Sequence, residues 1–130
     1  MSDIKGAISA YTEEEVDKLT EVRKKMAEYL YTEIMPNIRS RIEIGWGETT
    51  YCGGDRVKQW RILIYPDSLF MCLDGGVYKV LPDGTFQNST PYYNHMTEQC
   101  MMHWYEIKCR CLDEVEKCKE YKHTLDTFTV

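Results

Sequence analysis

With 130 residues, 43% of them hydrophobic and 28% charged, the chain is long enough to bury one core and too apolar to remain disordered. A formal net charge of −5 argues against direct binding to duplex DNA, which calls for a broadly basic surface. No run of about 18 apolar residues occurs, so no membrane span is expected. The opening MSDIKGAISA lacks the basic-then-apolar pattern of a secretory signal, and the six cysteines then read as reduced thiols of a cytoplasmic protein.

Residues 1–10 are small and polar and are expected to form a loose terminus. Thr12 followed by Glu15 is a capping box, with Tyr11 placed to staple onto Val16. Val16, Leu19, Val22 or Arg23, Met26, Leu30 and Ile34 continue at helical spacing, and Pro36 stops the helix near Met35, about 35 Å on. The period then changes. Ile42, Ile44 and Trp46 alternate with Arg41, Glu43 and Gly45 in a half-buried strand, and Gly53-Gly54-Asp55 turns the chain. Trp60, Ile62 and Ile64 share a face of the next strand, Val57 to Tyr65. Further strands are expected at Leu69–Leu73, Val77–Leu81 and Thr85–Gln87, separated by tight turns.

A second long helix is expected from Asn94 to Lys122. Cys100, Trp104, Ile107, Cys111, Val115 and Cys118 form one stripe on it, and Met102, Tyr105, Cys109 and Leu112 form another on the opposite side. A helix apolar on two faces buries both, so a homo-oligomer through this helix is expected. Residues 124–130 read as a tail or an edge strand. The fold class is α+β in one domain over residues 1–130. It has a long N-terminal helix, a four- to five-stranded antiparallel meander, and a long C-terminal helix packed on the sheet.

The loop from Phe86 to His95 concentrates binding chemistry. It supplies the rings of Phe86, Tyr92 and Tyr93 for stacking and the amides of Gln87, Asn88 and Asn94 for hydrogen bonding. It runs into a helix start, whose unpaired N–H groups suit a phosphate. Arg39, Arg41 and Arg61 can project from the polar face of the sheet, although pairing with Glu43 and Glu48 is the commoner fate of such charge. Arg110 lies four residues from both Glu106 and Glu114, the spacing of intrahelical ion pairs. Cys100 and His103 are one turn apart, as two metal ligands would be, yet helix periodicity already explains the cysteines as core. No metal and no cofactor are expected. None of the G-x-S-x-G, P-loop, H-E-x-x-H or G-x-G-x-x-G patterns occurs, and the chain is read as a non-enzymatic binder.

The order of a first helix ending YLYTEIMPNIRS, a meander, and an aromatic, amide-rich loop before a helix carrying KCRC resembles small phage counter-defence proteins. It is similar to the anti-Thoeris sponges, compact oligomers that capture cyclic ADP-ribose-type signals without cleaving them. The resemblance covers roughly residues 20–122. It implies a small nucleotide-like ligand held between protomers in the host cytosol, with rings on adenine and arginines on the pyrophosphate. By residue type and location, Arg61, Phe86, Asn88, Tyr92, Tyr93, Asn94 and Arg110 are the ligand-binding candidates. The alternative is an acidic, anti-CRISPR-like inhibitor that occupies the basic groove of a nucleic-acid-binding protein. Asp113, Glu114, Glu116 and Glu120 would then stand in for phosphates.

Overall fold

The computed structural model describes residues 11–50, 53–54 and 56–128. The loose terminus expected over residues 1–10, Cys52, Asp55 of the expected turn and the last two residues lie outside these. The first helix, α1 (Glu13–Tyr29), opens on the capping box read from the sequence. The Thr12 hydroxyl accepts the Glu15 N–H at 3.1 Å and the Glu15 carboxylate accepts the Thr12 N–H at 3.1 Å. The Tyr11 hydroxyl reaches 84 residues along the chain, to His95.

The helix does not run regularly to Met35. It widens into a π turn, Leu30–Ile34, and tightens into a 3-10 turn, Met35–Asn37, that carries Pro36. The wide turn re-phases the chain so that Leu30, Ile34 and Met35 all point into the core. Tyr31 anchors this segment by donating its hydroxyl to the Val80 carbonyl at 2.5 Å.

Four strands follow as an antiparallel meander in the order β1 (Ile42–Thr50), β2 (Arg56–Ile64), β3 (Leu69–Leu73) and β4 (Gly76–Val80). Ile42, Ile64, Leu69 and Val80 form one row across the sheet, and Ile44, Ile62, Met71 and Tyr78 form the next. These alternating residues face the helices and make the sheet's half of the core. The fifth strand expected at Thr85–Gln87 reduces to one bridge between Val80 and Phe86.

The second long helix is two helices, α2 (Tyr93–Met102) and α3 (Trp104–Phe128), broken at His103. The break has a tertiary cause, since the His103 ring stacks on Trp46 with centroids 4.6 Å apart. Trp46 also donates its indole N–H to the Gln99 side chain at 3.0 Å. Because one residue forms the break, the apolar stripe keeps its phase. Cys100, Ile107, Cys111 and Val115 are buried, and Trp104 and Cys118 pack at the margin. The opposite stripe is uncovered, with Met102 67%, Tyr105 84% and Leu112 45% exposed. Residues 124–128 form neither tail nor edge strand, because α3 continues through them to Phe128. The architecture is α+β, with the terminal helices flanking a four-stranded antiparallel sheet, and no helix among the described residues is long and apolar enough to cross a membrane.

Candidate functional site

Toward one end of the covered face, Trp46, Trp60, Leu73 and Gly76 form the last row that crosses all four strands, and β1 and β2 stay paired beyond it. Trp60, Leu73 and Tyr78 meet Tyr92 and His95 of the α2 start there. Together with Gln59 and Asp74 they line a recess of 330 Å³, at the lower end of the small-ligand range. Three aromatic rings and an imidazole around one opening suit a flat, π-bearing guest. Gly76 makes room for one of them. A methyl group in its place would stand 2.7 Å from the Tyr78 hydroxyl oxygen, so the bare glycine lets that phenol ring fold back along β4.

His95 is held from behind. Tyr11 meets it edge to face, with centroids 5.4 Å apart, and the Tyr11 hydroxyl lies 3.2 Å from His95 Nδ1. The same hydroxyl donates to Glu98 Oε1 at 3.3 Å. Burial, then the nearby Glu98 carboxylate, push the Tyr11 phenol up to about 12, so it keeps its proton across the physiological range.

Of the seven residues expected at the site, only Tyr92 lines this recess. Phe86 and Tyr93, both half-buried, pack on a buried cation instead, because the Arg23 guanidinium lies 5.5 Å from the Phe86 ring centroid and 5.1 Å from that of Tyr93. Arg23 is 6% exposed and donates from Nε to the Gly84 carbonyl at 2.6 Å and from Nη1 to the Thr97 hydroxyl at 3.1 Å. Burial lowers its pKa from the ordinary arginine value. Asn88 is exposed on its loop, whereas Asn94 is buried, with Oδ1 lacking a hydrogen-bond partner.

The three arginines expected on one sheet face do not gather. Arg39 turns to α3 and stacks 3.6 Å from the Tyr121 ring centroid. Arg41 and Arg61 share Glu43, at 3.3 and 3.7 Å. Arg61 lines a separate 420 Å³ recess with Lys58, Glu43 and Asp74, and is absent from the aromatic lining. Arg110 is exposed on α3, where Glu114 pairs with Lys117 at 3.6 Å.

A larger recess, 590 Å³, lies between α1 and α2. Leu19, Val22 and Met101 supply its apolar lining; Glu15, Asp17, Glu21 and Glu98 supply carboxylates against Lys18. The cysteines at positions 72, 100 and 111 are buried and free, while Cys109 is exposed. Burial pushes the Cys100 and Cys111 thiols up to about 12 and that of Cys72 up to about 11, values that keep them protonated and inert. Among the described residues no group of three or more His, Cys, Asp or Glu side chains is placed to hold a metal ion.

Sequence reasoning found the loop but missed Trp60 and Tyr78 as partners of Tyr92, and it did not single out His95. The signal was an aromatic residue within each alternating run, Trp60 in β2 and Tyr78 in β4, which only strand pairing brings together. No family model, curated protein or solved structure matches this chain, so the functional reading rests on the geometry of its own side chains.

Proposed function

We propose that this protein is a non-enzymatic binder that captures a small nucleotide-like ligand, of the cyclic ADP-ribose type, by holding its base in the aromatic recess. The observation that carries this reading is the convergence of Trp60, Tyr78, Tyr92 and His95 on one 330 Å³ opening. That lining carries the Asp74 carboxylate and, among the described residues, neither lysine nor arginine, which favours the ring end of such a ligand and leaves its phosphates to solvent or to a neighbouring copy. The test is thermal unfolding against a panel of nucleosides and cyclic ADP-ribose isomers. A ligand at 100 times its Kd adds about 2.7 kcal/mol, a rise of several degrees in Tm. Trp60→Leu and Tyr92→Ala should each remove the shift, and a panel with no shift refutes the reading.

Self-association belongs to the same proposal. Glu106 and Arg110 lie four residues apart beside the exposed Met102, Tyr105 and Leu112 stripe. An antiparallel pair of α3 helices from two copies would set each Glu106 against the other copy's Arg110. Light scattering on wild type and Tyr105→Glu tests this, with a dimer or larger assembly expected for the first and a monomer for the second.

A second reading, inhibition of a protein partner, is favoured by the acidic groove between α1 and α2 rather than by α3. On α3, Lys117 lies within ion-pair distance of Asp113 and Glu114, and Lys119 of Glu116. The groove offers an apolar floor and an excess of carboxylates, which fits a basic amphipathic helix of a partner. Binding of such a partner should weaken steeply with salt and on Glu21→Lys.

A further inference from the structure

We infer that Tyr11 and Glu98 fix the His95 imidazole with its proton on Nδ1, so that Nε2 offers a lone pair to the aromatic recess and selects a ring bearing an N–H donor. This deepens the proposed ring-binding function and rests on it for its ligand half. The proton count carries the inference. A carboxylate can only accept, so the one proton of the Tyr11 hydroxyl goes to Glu98 Oε1, 3.3 Å away. The phenol oxygen then has lone pairs left for His95 Nδ1 at 3.2 Å, and a close contact there is favourable only if Nδ1 carries the hydrogen.

Neutral imidazole has one N–H, so Nε2 is the acceptor. Among the described residues none donates to Nε2, and His95 is part of the recess lining. The ring is also fixed in orientation, because Tyr11 packs edge to face against it at 76°. A preset acceptor at a ring-sized recess distinguishes guests by what their edge donates. An amino-bearing purine satisfies Nε2, whereas the same purine without the amino group leaves the nitrogen desolvated and unpaired.

The experiment has two arms. In the first, long-range ¹H–¹⁵N correlation spectra of the uniformly labelled protein give the protonation of each ring nitrogen, with the signals assigned through His95→Gln. Protonated Nδ1 and bare Nε2 are expected in the wild type. Tyr11→Phe removes the hydroxyl while keeping the edge-to-face ring, and should shift the population toward the Nε2–H form. A wild-type ring protonated on Nε2 overturns the inference.

In the second arm, calorimetric titration compares adenosine with purine riboside, which lacks only the amino group. Adenosine should bind about tenfold more tightly to the wild type, the factor one hydrogen bond of ordinary strength gives, and the difference should vanish in His95→Phe. Equal affinities in the wild type overturn the selection of an N–H donor. Failure of both nucleosides to bind, with Nδ1 protonated, refutes the ring-capture reading and the ligand half with it, while upholding the tautomer.

Discussion

Replacing Arg23 with methionine tests how the loop before α2 is held. The side chain is almost fully buried, lies against the rings of both Phe86 and Tyr93, and bonds to Gly84 and Thr97. Each bond from a charged donor contributes roughly 1.5–3 kcal/mol, and the ring contacts add about 0.5–2 kcal/mol. Relief of the guanidinium's desolvation offsets several kcal/mol of that sum. Thr97 keeps a partner, since its hydroxyl donates to the Tyr93 carbonyl at 2.6 Å, so the Gly84 carbonyl is the group left wanting. Methionine fills much of the stem's volume, which limits the cavity cost. The net loss is about 2–4 kcal/mol, which for a domain of this size lowers Tm by about 7–15 °C. Arg23→Lys should also destabilise, because an ammonium on a flexible stem cannot reproduce the planar fork that reaches both Gly84 and Thr97. Thermal and urea unfolding followed by circular dichroism measures both variants. A methionine variant melting within 2 °C of the wild type, with an unchanged urea slope, would refute the role given to Arg23.

Other substitutions probe neighbouring features. At Gly84, φ is +87 and a methyl group would stand 2.7 Å from the Lys24 Cα, so Gly84→Ala should cost about 2–4 kcal/mol and push the loop off α1, visible as a lower urea midpoint. Thr12→Ala removes the reciprocal cap and should lower stability by about 1 kcal/mol without changing ligand binding, read by melting and titration in parallel. The thiols predict a pH effect of definite sign. Their folded pKa values lie above the unfolded ones, so the native state holds the extra protons and stability is full below about pH 9. It should fall as pH rises toward 11–12, by about 1.4 kcal/mol per unit for each buried thiol. Melting temperatures between pH 8 and 11 check the slope. Alkylation at pH 8 should label Cys109 well before Cys72, Cys100 or Cys111.

The elements legible in the sequence are those whose cause is local. The capping box at Thr12 and Glu15, the alternation from Ile42 to Trp46 and the stripe from Cys100 to Val115 each encode their own structure. The helix break at His103 was not legible, because neither proline nor glycine marks it and its partner, Trp46, is 57 positions away. The helix through residues 124–128 was hidden by β-branched threonines. The hydroxyls of Thr124 and Thr127 bond back to the carbonyls of Glu120 and His123, at 3.0 and 2.9 Å, and so join the helix they seemed to oppose. At the site, Tyr92 was legible as a ring in a polar loop. Phe86 and Tyr93 looked the same by composition, and only the buried Arg23 beside them shows that these half-buried rings pack on its guanidinium.

The long final helix gives the molecule two clocks. Between Trp104 and Val115 one side of α3 is sealed against the core, and those amides open only when the domain itself does. From residue 119 to Phe128 every residue is exposed, and the ring of Tyr121 lies under Arg39 about two turns before the helix ends. Deuterium should therefore enter the two halves of one continuous helix at rates orders of magnitude apart. The boundary between them, near Cys118, marks where the folded body ends and a local helix–coil equilibrium begins.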